Sequence, residues 1–167
     1  MRKLLVYPLL VVFGAVSTQL HAMQQAFLVQ NSGWMEPFYQ DQNSEFKPLI
    51  NGVIQTVIKP DDKIVVSVFN QSNALAKSPK IIYQGAGAKP MLADLQAQQI
   101  AYKNDKAYAD TDFTEAVVST ITEPFAKQSG IIWIFTNNKN SPNNDAETIA
   151  RNKEFYTLIH DNPAINK

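Results

Sequence analysis

Gly130-Ile131-Ile132-Trp133-Ile134-Phe135-Thr136-Asn137-Asn138 is the stretch that decides the fold. Five consecutive apolar residues of β-branched and aromatic type, released by a glycine and stopped by a polar triplet, read as a strand covered on both faces. Such a strand belongs to a parallel sheet sandwiched by helices, because a strand with one wet face would alternate apolar and polar residues. The polar loop after it, running to Asn144, then lies at the carboxyl end of the strand, where open α/β sheets place ligands.

The elements upstream have the order such a sheet requires. Ala26 to Val29 is a short apolar run ending in the turn Gln30-Asn31-Ser32-Gly33, and reads as the first strand. Phe46, Leu49, Ile50, Val53, Ile54, Val57 and Ile58 repeat at the spacing of one helical face, which Pro60-Asp61 closes. Lys63 to Phe69 gives a second buried strand, and Ile81-Ile82-Tyr83 a short one stopped by Gly85 and Gly87. Pro90 suits a first helical position, and a helix is expected over Met91 to Tyr102 with Leu92 and Leu95 inward. Asp112-Phe113-Thr114-Glu115 has the capping-box pattern, followed by Phe113, Ala116, Val117, Thr120 and Ile121 as a helical stripe up to Pro124. Asp145 can cap a last helix with Ile149, Phe155, Tyr156 and Ile159 as its apolar side. Strands alternating with helices imply an α/β, Rossmann-like architecture with a mostly parallel central sheet and helices on both faces. Asn162 to Lys167 follows the last helix where another strand is due, so the sheet is expected to lack its last strand or strands.

Bulk properties narrow the function. A chain of 167 residues with 45% hydrophobic and 18% charged content is one folded domain's worth. Fifteen basic against fifteen acidic residues leave no electrostatic footprint of a nucleic-acid binder. The absence of cysteine excludes disulfides, thiolate metal sites and a cysteine nucleophile. Arg2 and Lys3, the apolar run Leu4 to Val16, the polar Ser17-Thr18-Gln19 and the small Ala22 form a secretory signal over residues 1–22. At about 13 residues the run is shorter than the ~20 that span a bilayer. Cleavage after Ala22 is therefore expected, leaving a domain over 23–167 in the periplasm or outside the cell. An uncleaved inner-membrane anchor is the alternative, because Leu20 is bulky for its place three residues before the cut.

Gln30-Asn31-Ser32-Gly33-Trp34-Met35 resembles D-x-S-G-S-M, the first loop of von Willebrand factor A (vWA) domains, with Gln30 for the aspartate and Trp34 for the second serine. Ala109-Asp110-Thr111-Asp112-Phe113-Thr114-Glu115-Ala116-Val117 resembles the second loop, with Thr111 as its threonine. Ile132 to Asn138 resembles the fourth strand and its T-D-G ending, with Asn137 for the aspartate and Asn138 for the glycine. The resemblance covers roughly residues 23 to 160. It implies that the three loops meet at the carboxyl edge of the sheet, where the family holds Mg²⁺ and receives a partner's carboxylate.

The chemistry departs from the resemblance at this point. Mg²⁺ keeps carboxylates in its shell, whereas Gln30 and Asn137 supply amides and Ser32 and Thr111 hydroxyls. A degenerate site that needs no cofactor is expected, unless Asp110, Asp112 or Glu36 supplies the missing charge. The residues expected at the binding apex are Gln30, Ser32, Trp34, Thr111 and Asn137, supported by Asn31, Asp110, Asp112 and Asn138. Asn31 and Ser32 have the plainer reading of turn residues, and Trp34, Met35, Phe38 and Tyr39 read either as an exposed aromatic patch for a partner or, more plainly, as packing over the top of the sheet. The asparagines from 137 to 144 have that of a polar loop. His21 and His160 are isolated, and Gly85-Ala86-Gly87-Ala88-Lys89-Pro90 lacks the elements of a phosphate loop. No catalytic set is found. The function expected is a protein-binding module with an unidentified protein partner; the alternative is a small α/β enzyme or small-molecule binder using Asp110, Asp112 and Asp145 in the same crevice.

Overall fold

The computed structural model describes residues 22–86, 89–140 and 145–165. The leader through His21, Gly87, Ala88, the loop residues 141–144 and residues 166–167 lie outside these, as do the side chains of residues 89–92 and Asp145.

Four strands form the main sheet, β1 (Gln24–Gln30), β2 (Lys63–Phe69), β3 (Lys80–Gly85) and β6 (Ile131–Phe135), in the order β3-β2-β1-β6. β1 is central and runs parallel to both β2 and β6, with Phe27 opposite Val66 on one side and Trp133 on the other. Ala26, Phe27, Leu28 and Val29 are all buried, as a central strand covered on two faces requires. β3 returns directly from β2 and pairs antiparallel with it. Helices flank the sheet: α1 (Glu36–Gln40), α2 (Phe46–Val57) and α3 (Lys89–Gln96) in the first half of the chain, α4 (Phe113–Thr122) and α5 (Asp145–Asp161) in the second.

The pleat divides the core into two layers. Phe27 and Val29 of β1, with Ile64, Val66 and Val68 of β2, pack against Ile50 and Ile54 of α2 and Leu95 of α3. Trp133 stacks on Phe27 at a ring separation of 6.3 Å on this side. Leu28 and Phe69 face Phe113, Ala116 and Val117 of α4 and Phe155 and Leu158 of α5. There Phe113 meets Phe69 and Phe155 edge-on at 5.6 and 5.3 Å, the arrangement that ring quadrupoles favour. The α/β class, the mostly parallel sheet and the helices on both faces are as the sequence indicates.

Four local expectations differ from the structure. The helix expected over Met91 to Tyr102 stops at Gln96, and a small hairpin follows, β4 (Tyr102–Asn104) and β5 (Ala107–Tyr108). Its turn is made by Asn104, whose side-chain carbonyl accepts from the backbone N–H groups of Lys106 and Ala107, a local bond that overrides helix propensity. The capping box is half formed: Asp112 accepts from Glu115 N at 2.9 Å, but the Glu115 carboxylate turns to Ser72 N at 3.0 Å. β6 lies at a sheet edge and is half-buried, with Ile131 exposed. In α5 the packed residues are Phe155 and Leu158, while Ile149 and Tyr156 face solvent and Tyr156 stacks on His160. Among the described residues, no helix is long and apolar enough to cross a membrane.

Because Phe27 is wholly buried between the second helix and two neighbouring strands, Phe27→Ala should cost about 3–5 kcal/mol in a urea melt. A loss below about 1 kcal/mol would mean that β1 is not the centre of the core.

Candidate functional site

The carboxyl ends of β1, β2 and β6 share one edge of the sheet, and the loops leaving them carry the polar residues singled out in the sequence. Gln30 is the last residue of β1 and lies on the same face as Leu28, toward α4. Its side chain is fully buried. The carboxamide nitrogen lies within hydrogen-bond distance of Ser32 Oγ at 2.8 Å, Thr111 Oγ1 at 2.9 Å and the Lys139 carbonyl at 3.2 Å, three acceptors that share its two hydrogens. Its oxygen accepts from the Thr136 hydroxyl. The Lys139 carbonyl can only accept, so it fixes which end of the amide points there. Thr111 completes the ring by donating to Ser32 Oγ at 2.7 Å, and both hydroxyl residues are fully buried. One amide thereby ties together β1, the turn after it, the loop before α4 and the loop after β6.

Gln30, Ser32 and Thr111 are brought together, and Asn137 lies beside them. The Asn137 amide donates to the Trp34 carbonyl at 2.7 Å and its oxygen accepts from Lys139 N at 3.1 Å. Asn138 adopts a left-handed conformation at φ 62°, which asparagine tolerates and glycine occupies freely, so it can stand where the T-D-G pattern has glycine. Asn31 binds sideways, donating to the Gln99 carbonyl and accepting from Asn70. Gly33 is needed for closeness: a Cβ there would lie 2.5 Å from the Tyr108 Cβ. Of the aromatic group expected at the apex, Met35 is buried and Tyr39 donates to the Gln30 carbonyl at 3.1 Å, its phenol pushed up by burial. Phe38 is exposed, and Trp34 is half-buried with the Lys139 ammonium 3.9 Å from its ring centroid.

Each carboxylate that might have supplied charge to the apex has another partner. Asp110 pairs with Lys103 at 2.9 Å, and Asp112 caps α4 and pairs with Arg151 at 3.0 Å. Glu36 accepts from Tyr108 at 2.9 Å. That hydrogen bond, with one involving Tyr102, pushes the Tyr108 phenol up to about 12. Arg151 reaches from α5 to donate also to the Thr111 carbonyl, and so fixes the second loop from outside. Sequence reading missed Thr136, Lys139 and Arg151 as members of this site. Thr136 left a signal as the threonine of the T-D-G-like ending, and Arg151 in its four-residue spacing from Glu147, with which it pairs on α5.

These residues do not fit a divalent cation. The point where the Ser32 and Thr111 hydroxyls converge is filled by an amide nitrogen that presents hydrogens, and no carboxylate reaches it. Among the described residues no three His, Asp or Glu side chains are grouped to hold a metal.

No family model matches the chain, and no curated protein does. Among solved structures, the chain is similar to the crystal structure of the ArnB paralog VWA2 from Sulfolobus acidocaldarius, at 15% identity and a TM-score of 0.45. The match covers 72% of this chain and 28% of that one, so the chain spans under a third of that protein's length.

Replacing Gln30 by leucine keeps the side chain's bulk but removes the side-chain partner of the Lys139 carbonyl and the acceptor of the Thr136 hydroxyl, and leaves the buried Ser32 and Thr111 hydroxyls with only each other. Each buried polar group left unpaired costs about 1–3 kcal/mol. Gln30→Leu should therefore lower stability by about 2 kcal/mol or more in chemical denaturation, and an unchanged midpoint would show that the amide network contributes nothing.

Proposed function

We propose that the chain is an exported protein-binding module that engages a protein partner at the carboxyl edge of its sheet, without a metal ion and without catalysis. The observation that carries this is the Gln30 carboxamide, which closes the polar ring among the loops from within. The apex is thereby preorganised, and preorganisation favours binding because less ordering entropy is lost on association. What it presents outward is Trp34 with the Lys139 ammonium on its ring, edged by Asn137 and Asn138. Tryptophan backed by polar groups is the composition enriched in protein interfaces.

The arrangement speaks against chemistry at this edge. Of the three acids an enzyme would use here, Asp110 and Asp112 are held by Lys103 and Arg151, and the side chain of Asp145 lies outside the described residues. A cavity of about 220 Å³ lies at the opposite, amino-terminal edge of the sheet, lined by Gln24, Asp61, Asp62 and Lys63. Export rests on the leader over residues 1–22.

Proteins crosslinked to the exported chain in periplasmic extract should be lost with Trp34→Ala or Lys139→Ala and retained with Gln84→Ala, which lies away from the apex. Equal capture by all variants would move the binding surface elsewhere. Metal independence has its own test. A micromolar site at ~1 mM Mg²⁺ would stabilise the fold by roughly 4 kcal/mol, whereas the natural protein should show no change in melting temperature with Mg²⁺ or Mn²⁺. Gln30→Asp combined with Asn137→Asp should create a Mg²⁺-dependent rise. A rise of several degrees in the natural protein would contradict a metal-free apex.

A further inference from the structure

Asp62 is almost completely buried at the amino-terminal edge of the sheet, in the turn between α2 and β2. Burial acts to raise its carboxyl, but the backbone N–H groups of Lys59 and Met23, the Gln25 side chain and, least, the more distant charge of Lys59 outweigh this and hold it below the usual range. The donors lie at 3.0 Å from Lys59 N, 3.0 Å from Met23 N and 2.6 Å from Gln25 Nε2. None of the ion pairs among the described residues includes Asp62. A buried carboxylate of this kind usually has a cation against it. Met23 is held in place independently of its nitrogen, because Lys63 N donates to the Met23 carbonyl at 2.9 Å. Met23 is also the first residue after the expected cleavage point.

We propose that removal of the leader between Ala22 and Met23 places the new α-ammonium of Met23 on the Asp62 carboxylate, so that export itself locks the first strand into the sheet. This rests on the export reading above. Hydrolysis of the Ala22–Met23 amide by a leader peptidase consumes one water, leaving a carboxylate on Ala22 and an amine on Met23 that is protonated at neutral pH. The neutral N–H donor on Asp62 Oδ1 then becomes a cationic one at the same position, a stronger, charge-assisted hydrogen bond. The other charges around the pair are those of Lys59, Asp61 and Lys63, and Asp61 and Lys63 line the neighbouring cavity with Asp62.

The linkage has a definite sign. An α-amine titrates at about 7.7–8.0 in an unfolded chain, and an ion pair with Asp62 raises it in the fold. The added stability is complete below about pH 7.7 and is lost as pH rises through the raised folded value.

The test uses the exported protein, with mass spectrometry first establishing Met23 as its terminus. A different terminus, or a retained leader, would overturn the export reading and the lock together. With Met23 established, a form N-acetylated at Met23 should melt lower than the free-amine form by roughly 3 °C or more at pH 6.5 and no differently at pH 10.5. Asp62→Asn should abolish the difference between the two forms. Should that variant not fold, the natural protein still decides: ¹³C-dimethylation of the Met23 amine keeps its charge, and its NMR titration should fall above the unfolded range. A titration at or below about 7.7, or equal melting of the free and acetylated forms, would overturn the lock while leaving export intact.

Discussion

The apex of this sheet depends on one primary amide. Three chain segments end in polar groups at one point, and Gln30, Ser32 and Thr111 are fully buried there, so each needs a partner inside the protein. Gln30 supplies them with two hydrogens and one carbonyl, using a side chain long enough to reach Ser32, Thr111, Thr136 and the Lys139 carbonyl together. A cation with its carboxylates could join the same segments. That solution buries charge, whereas the amide is neutral and has no comparable desolvation cost. The amide connects the loops by hydrogen bonds of the chain's own groups.

The surrounding charges follow from that neutrality. Carboxylates beside a neutral amide would lack a partner there, and the structure directs each elsewhere: Asp110 to Lys103, Asp112 to Arg151 and Glu36 to Tyr108. Arg151 matters most, because its guanidinium joins α5 to both the capping carboxylate and the Thr111 carbonyl. The last helix therefore helps to hold the apex although it contributes nothing to the apex surface. Lys139 has a double part: its backbone carbonyl closes the buried ring, and its side chain lies on Trp34 above it. Surface and interior are coupled through one residue.

Much of this was legible in the sequence. Continuous apolar runs at Ala26 to Val29, Lys63 to Phe69 and Ile131 to Phe135 announced buried strands, and the 3.6-residue spacing from Phe46 announced the second helix. The meeting of Gln30, Ser32 and Thr111 followed from the loop resemblance. What escaped was set by contacts that have no local signature. Asn104 turns the chain by side-chain bonds where helix-forming residues stood on both sides, and Glu115 leaves its own helix to reach Ser72. Gln30 read as a missing ligand, and only the structure shows the hydrogen-bond network that its side chain makes with Ser32, Thr111, Thr136 and the Lys139 carbonyl. The exposure of Ile149 and Tyr156 was likewise invisible, because helical spacing gives a face but not what covers it.

Each end of β1 carries a buried polar centre, Asp62 with Met23 and Gln25 at the start and Gln30 at the finish. The central claim concerns the finish, and the side-chain amide of Gln30 reports on it directly. In a ¹⁵N-resolved NMR spectrum its two protons should give separate resonances, exchange slowly with solvent, and stay in place as Mg²⁺ is raised to ~10 mM, because the nitrogen is buried and engaged. Fast exchange of those protons, or their displacement by Mg²⁺, would contradict an apex closed by its own glutamine.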